Sequence, residues 1–271
     1  MQSGLHHVLG ALPPVGLEDL LDQAALQRRM DRKYVLPVAA AAELVEGLGS
    51  AEDAQVLEIA GRRTFGYSSI YLDTAELDCF IQAARRRPRR FKVRTRTYLD
   101  AAECWLEVKT RDRRGWTVKN RTSHALDDRH VLTSGGRAFV RQVLAEAHIE
   151  EQDLDLAAAL ETAYRRSTLY LAASGSRLTV DTSLRCATEH DGTPVEAHLE
   201  GHAVVETKTD GRPSAADRLL WSHGYRPVRI SKYGTGLAAL RPDLPSTPWR
   251  PLLKHDLFHP SSPTWSTPAT S

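Results

Sequence analysis

The chain has 271 residues, with 36 Lys and Arg against 34 Asp and Glu, and a formal net charge of +2. Its 41% apolar and 26% charged residues are typical of a soluble globular protein and exclude collagen-like, coiled-coil and wholly disordered chains. No apolar run approaches the roughly 20 residues of a membrane-spanning helix, so we expect no membrane span. Three widely spaced cysteines form neither a disulfide framework nor a zinc motif, which favours a reducing, cytoplasmic location.

Extended and helical patterns alternate along the chain. In chain order, period-two alternation predicts strands at 30–36, 55–60, 64–72, 90–99, 103–110, 115–121, 164–171, 176–182, 199–208 and 228–230. Helical spacing and end signals predict helices at 37–48, 76–86, 137–147 and 215–222. Many strands with few intervening helices predict an α+β fold with an antiparallel sheet or closed barrel, not βαβ units.

Composition divides the chain into three parts. Half of the 14 prolines lie after Arg241, together with many Ser and Thr residues. Such a segment buries little apolar surface, so we predict a flexible or surface-draped tail over 242–271, which Trp249 and Phe258 could still attach to the domain. We expect residues 1–24 to be an N-terminal extension and 25–241 to be one folded domain.

Several predicted strands concentrate charge on one face. Residues i, i+2 and i+4 of a strand share a face. By this rule the charged faces hold Lys92, Arg94 and Arg96; Glu107 and Lys109; Lys119 and Arg121; Arg177 and Asp181; and Glu206 and Lys208. For a single strand, a solvated face is the simplest interpretation. Five such faces, mostly positive, favour instead a barrel whose charged faces point inward and whose apolar faces are covered by helices.

An inward ring of cations needs a compensating anion. Two like charges 4 Å apart repel by about 4 kcal/mol at an effective dielectric of 20, and a bound polyanion removes that repulsion. The isolated acids would then be ligands for Mg²⁺ or Mn²⁺, which take carboxylate oxygens and bridge phosphates. The pattern therefore predicts a basic tunnel that binds a triphosphate with a divalent metal.

The order of these motifs resembles the catalytic domain of the vacuolar transporter chaperone (VTC) family, a branch of the CYTH-like triphosphate tunnel metalloenzymes. The motifs that carry the resemblance are Asp31-Arg32-Lys33-Tyr34, Ser69 to Thr74, Lys92 to Tyr98, Leu106 to Lys109, Tyr164 to Ser167, Arg177 to Thr182, Val205 to Lys208 and Ile230 to Tyr233. The resemblance implies an antiparallel eight-stranded β-barrel, the triphosphate tunnel, with helices packed outside. It also implies a polyphosphate polymerase that passes the γ-phosphoryl of ATP to a polyphosphate chain.

The resemblance also implies roles for individual residues. Glu206 matches the family's metal ligand, and Glu107 is a second candidate, the metal being Mn²⁺ or Mg²⁺. The superfamily's opening Glu-x-Glu-x-Lys is replaced here by Arg29 to Lys33, which leaves Asp31 as the remaining acid. The catalytic, phosphate-binding set is Lys33, Arg94, Arg96, Lys109, Arg166, Arg177 and Lys232.

Three other functions are consistent with the sequence. The same tunnel would serve an inorganic or nucleoside triphosphatase, or a non-catalytic polyphosphate-binding module. The arginine-rich run from Arg85 to Arg90 would suit RNA, although as a lone charge run it is more typical of a solvated helix end, and we expect no nucleic-acid partner. The sequence determines neither the nucleotide preference nor the oligomeric state.

Overall fold

The computed structural model describes residues 2–23, 30–111, 117–150, 154–209, 211–254 and 257–261. The helices of these residues are α1 (Gln2–Ala11), α2 (Leu17–Gln23), α3 (Val38–Ala51), α4 (Asp78–Ala84), α5 (Ser134–Glu146), α6 (Ala215–Ser222), α7 (Lys232–Leu240) and α8 (Arg250–Leu253). The strands are β1 (Pro14–Val15), β2 (Met30–Pro37), β3 (Ala54–Leu57), β4 (Phe65–Asp73), β5 (Arg90–Tyr98), β6 (Glu103–Arg111), β7 (Thr117–His124), β8 (Ala157–Leu171), β9 (Ser176–His190), β10 (Thr193–Leu199), β11 (His202–Thr209) and β12 (Phe258–Ser261).

The protein is α+β with a large, mainly antiparallel sheet. Among the described residues the strand order runs β12-β10-β9-β8-β4-β5-β6-β7, with β2 beside β11 and β11 beside β9. No pairing within the described ranges joins the two ends of that order, so closure into an eight-stranded barrel remains a prediction. The chain divides into two compact units, and β4, β8, β9 and β10 contribute residues to both.

The first unit comprises Met1–Tyr67, Tyr164–Leu184 and Leu199–Ile230. Here β2 pairs with β11 and β11 with β9, all antiparallel. Helices α1, α3 and α6 contribute to its core, in which Leu9, Val45 and Leu220 lie with Leu36 and Val205 of the paired strands. This core positions the opposite, charged faces of β2, β9 and β11.

The folded part of the first unit begins before residue 25. Leu5, Leu9 and Leu12 of the N-terminal segment are buried in the same core as α3. Gly49 of α3 leaves room for this contact, since a Cβ there would lie 2.9 Å from Leu12 Cδ2. The predicted N-terminal extension therefore packs into the core of the first unit, because the apolar stripe of α1 completes that core; residue 25 itself lies outside the described ranges.

Asp217 is a buried hydrogen-bond centre in the first unit. Its carboxylate accepts from Tyr34 Oη at 2.7 Å, from Thr207 Oγ1 at 2.8 Å and from the Ser214 amide at 2.7 Å, and it lies 3.3 Å from Arg32 Nη1. With Ser214 it also forms a capping box at the start of α6. The side chain thereby connects α6 to β2 and β11.

Removing this carboxylate should destabilise the protein strongly. We expect Asp217→Ala to lower the free energy of unfolding by about 3 kcal/mol or more, because several buried donors lose their acceptor. Urea unfolding measures the change. The control is Asp243→Ala, which removes an exposed partner of Arg241 and should change stability by under about 1 kcal/mol. Equal effects of the two substitutions would contradict the structural role of Asp217.

The second unit comprises Ser68–Ala163, Arg185–His198 and Ser231–Ser271. Strands β5, β6 and β7 form an antiparallel meander, with β4 beside β5. Strands β9 and β10 form a hairpin, and β12 lies beside β10. Thr133 caps the N-terminus of α5, since its side chain accepts a hydrogen bond from the Gly136 amide.

The C-terminal segment is partly built into the second unit. Trp249 is 4% exposed and Phe258 is 8% exposed, and the segment contains α8 and β12. Large apolar side chains within 242–254 and 257–261 are therefore buried in the second unit, including Trp249 and Phe258, which the sequence singled out as possible attachment points. The rest of the tail lies outside the described residues.

Several predicted elements match the observed bounds closely. The helix at 215–222 is observed with those bounds, and the strands at 90–99 and 103–110 are observed within one residue. The strand at 228–230 is wrong: the Val228 amide donates one backbone hydrogen bond to Lys33, but Pro227 has no N–H to extend a ladder. The patterns missed α1, α2, α7, α8, β1, β10 and β12.

Candidate functional site

The predicted site residues fall into both units. The first unit contains Lys33, Arg166, Arg177 and Glu206, and the second contains Arg94, Arg96, Glu107, Lys109 and Lys232. Most of these residues lie on the charged faces of neighbouring strands, whereas Lys232 is the first residue of α7.

Glu206 is the centre of the charged group in the first unit. It lies opposite Lys33 in the β2–β11 register and accepts a hydrogen bond from Lys208 Nζ. Lys208 Nζ also lies 3.4 Å from Asp31 Oδ2, and so connects two carboxylates. Burial alone would raise the pKa of Glu206, but Lys33, Lys208 and Arg166 outweigh it and hold the pKa well below its usual range. Glu206 is therefore an anion at neutral pH.

Arg166 is held on two sides in the same unit. Its Nε and Nη2 donate to the two oxygens of Asp181 at 2.5 and 2.8 Å, a bidentate pair. Its guanidinium carbon lies 5.4 Å from the ring centre of Tyr67 and 5.3 Å from that of Tyr164. The side chain therefore has a defined orientation on the charged face.

Arg177 lies in the same region, opposite Lys208 in the β9–β11 register. Two cations directly opposite each other on neighbouring strands repel, and such a pair is destabilising without a shared anion. The acids on this face are Asp181 on β9, Glu206 on β11 and Asp31 on β2.

Glu107 is the centre of the charged group in the second unit. Its Oε2 accepts from Arg94 Nε at 2.9 Å and from Arg94 Nη2 at 2.6 Å, while Oε1 accepts from Lys119 Nζ at 3.3 Å. Arg96 Nε is 3.8 Å away. Burial alone would raise the pKa of this carboxyl, which is 1% exposed, but the three cations hold it well below its usual range.

Three lysines form a row across the meander of the second unit. Lys92 lies opposite Lys109, and Lys109 lies opposite Lys119. Lys92 Nζ donates to Ser231 Oγ at 2.7 Å, at the start of α7, where Lys232 is the first helical residue. Since the backbone amides of a helix N-terminus also favour negative charge, the row and the helix end are suited to bind anions.

Two acids on these charged faces are shielded from water. Glu107 and Asp181 are each 1% exposed, whereas the Lys119 side chain is 41% exposed. A merely solvated face is therefore excluded for the two acids.

The surroundings of the two predicted metal ligands, Glu206 and Glu107, differ. The described residues contain no group of three or more His, Cys, Asp or Glu side chains that could hold a metal ion. Mg²⁺ is often bound by one or two carboxylates together with substrate phosphates, and Glu206, with Asp31 across Lys208, fits this donor set. Glu107 does not fit, because both of its oxygens are already bound by cations.

Sequence reasoning missed several partners in these groups. The sequence leaves a salt bridge or a rim position for Lys208 as consistent as a phosphate contact, and the structure shows that Lys208 joins Asp31 to Glu206. The sequence did not identify the hydrogen bond from Arg94 Nη1 to Tyr71 Oη, at 3.0 Å, or the pairing of Arg166 Nε and Nη2 with Asp181. Alternation did place Asp181 on the charged face of β9, and this placement was the sequence signal that could have indicated a cationic partner.

Comparison with known proteins identifies the family. Residues 28–241 match the VTC domain, so the chain belongs to the VTC domain family, and the predicted membership is confirmed. No curated protein matches the chain significantly. Within the part of the chain that the structure describes, no helix is long and apolar enough to cross a membrane.

Several solved structures are similar in fold. The putative adenylyl cyclase HpAC1 from Hippeastrum, described as having a dominant triphosphatase activity, is 18% identical; the match covers 80% of this chain and 98% of that one, with a TM-score of 0.46. A putative adenylate cyclase from Bacillus halodurans is 12% identical, with 75% and 94% covered and a TM-score of 0.44. A putative adenylate cyclase from Vibrio parahaemolyticus is 12% identical, with 84% and 98% covered and a TM-score of 0.39. Sequence identities and TM-scores this low do not indicate a shared function.

Proposed function

We propose that the protein is a polyphosphate polymerase that transfers the γ-phosphoryl of ATP to a polyphosphate chain. The observation that carries the proposal is the VTC domain match over 28–241, which includes Glu206 and the charged residues of both units. We also propose that the strands close into an eight-stranded tunnel with the charged faces inside.

The basic residues would act by positioning and charge neutralisation, which carry most of the catalysis in phosphoryl transfer. A terminal oxygen of the polyphosphate chain attacks the γ-phosphorus of ATP, the bond to the β-phosphate oxygen breaks, and ADP leaves. The attacking oxygen is already anionic, so no general base is needed. The residues that would hold the phosphates are Lys33, Arg94, Arg96, Lys109, Arg166, Arg177 and Lys232.

The two acids would have different roles. Glu107 would hold Arg94 in position through the bidentate contact to its Oε2. Glu206 would hold a divalent cation, Mn²⁺ or Mg²⁺, which would neutralise charge on the phosphates when bound.

The proposed reaction is tested by its products. We expect purified protein incubated with ATP and Mn²⁺ to form polyphosphate, visible on a gel, together with one ADP for each phosphoryl group added. Free phosphate measured in the same tube should stay low. Free phosphate without polymer would assign a triphosphatase instead, and polyphosphate binding with neither product would assign a binding module.

A further inference from the structure

Trp249 lies beyond the matched family domain but packs directly against α7 in the second unit. A Cβ at Gly234 would lie 2.1 Å from Trp249 Cζ2, so the indole ring occupies the space that any larger residue would need. A glycine inside a helix costs about 1 kcal/mol relative to alanine, and this contact explains its presence. The ring centre of Trp249 also lies 5.4 Å from that of Phe80 on α4.

The contact continues into an aromatic cluster formed by Tyr71, Phe80, Tyr233 and Trp249. Tyr233 lies edge-on to Phe80, with ring centres 6.1 Å apart, and stacks on Tyr71 at 4.9 Å. Its hydroxyl donates to buried Asp73, which also accepts from the backbone amides of α4. The cluster therefore fixes α4, α7 and β4 to one another within the second unit.

Two candidate phosphate-binding cations, Arg94 and Lys232, and Lys92 of the lysine row are attached to this cluster. Arg94 donates to the hydroxyl of Tyr71. Lys92 donates to Ser231, the residue that caps α7, and Lys232 directly precedes Tyr233 in the chain. A shift of α7 would therefore move the anchor of Lys92 together with Lys232, and a shift of Tyr71 would release one contact of Arg94.

We infer that Trp249 is a positioning residue for anion binding, through which a segment outside the VTC domain sets the places of Lys92, Arg94 and Lys232. The inference rests on the proposed function, since it assumes that these cations bind phosphates. Without the indole ring, α7 loses the surface against which Gly234 packs. The cations then lose their preorganisation, and a displacement of about 1 Å in such a site can reduce rates by about a hundredfold.

The test measures tripolyphosphate binding by calorimetry and thermal unfolding on full-length variants. We expect Trp249→Ala to weaken tripolyphosphate binding at least about tenfold, and Trp249→Phe to recover most of it. Trp249→Leu keeps apolar volume but removes the ring. Its affinity for tripolyphosphate should lie between those of Trp249→Ala and Trp249→Phe, and it can be measured even if the alanine variant folds poorly. Leu57→Ala, in a separate apolar cluster with Val15 and Leu20 of the first unit, should lower the melting temperature similarly but leave binding unchanged.

The outcomes separate this inference from the proposed function. Wild-type affinity in the folded Trp249 variants would overturn the inference alone, as would an equal loss of affinity in Leu57→Ala. A wild-type protein that binds no tripolyphosphate would overturn the inference and the proposed function together. Weakened binding in Trp249→Leu with recovery in Trp249→Phe would support the inference whatever product the enzyme forms.

Discussion

Glu206→Gln is expected to abolish metal-dependent turnover while polyphosphate binding persists. The amide keeps the size of the side chain but removes the negative charge that Lys33, Lys208 and Arg166 surround. We expect kcat to fall by about a hundredfold or more, the effect typical of removing one preorganised electrostatic group from an active site. Binding should be unchanged or tighter, because the region gains net positive charge. Product formation over a Mn²⁺ titration and polyphosphate binding by calorimetry check both parts.

The matched control for this substitution is Glu196→Gln on the β9–β10 hairpin. Glu196 is also a partly buried carboxylate with cationic partners, since it accepts from Arg185 Nε at 2.6 Å and contacts His198. It belongs to neither charged group of the proposed site, so turnover should stay near the wild-type level. Full activity in Glu206→Gln, or an equal loss in both variants, would remove Glu206 from the mechanism.

Glu107→Gln should have the largest effect on stability. The substitution leaves Arg94, Arg96 and Lys119 around a neutral amide, and removing one partner from a buried ion pair costs about 3–5 kcal/mol. Urea unfolding should show this loss. Tripolyphosphate should stabilise the variant more than the wild type, because a bound anion can replace the missing carboxylate. Identical stabilisation of both proteins would contradict this anion-binding role of the three cations.

The pH dependence of stability gives a second measurement on Glu107. Its pKa in the folded protein is held well below the usual value, which is about 4.3 in an unfolded chain. The carboxylate therefore contributes stability above that usual value and loses it as the pH falls toward the folded pKa. The difference in unfolding free energy between wild type and Glu107→Gln should be largest near neutral pH and shrink below about pH 4.3. A difference that stays constant with pH would show that the ion pairs contribute nothing.

Local patterns predicted much of the sheet and both acids of the candidate site. The alternation in β5 and β6 is a property of neighbouring residues, so it is visible without the fold. It placed Arg94 on the charged face of β5 and Glu107 and Lys109 on the charged face of β6. The β5–β6 register then brings Arg94 opposite Glu107. The short strands β10 and β12 and the helix α7 escaped prediction, because α7 contains two glycines and the strands are short and not strictly alternating.

The sequence by itself determined the α+β class, the position of most strands, the charged faces and the membership of the VTC family. Only the tertiary structure decided which charges meet: Glu107 is enclosed by cations, Asp181 occupies Arg166, and Lys208 connects Glu206 to Asp31. It also placed Trp249 on α7 and connected Tyr233 to Asp73, which are 160 residues apart. Such contacts depend on strand register and on the packing of distant segments, and neither leaves a periodic signal in the local sequence.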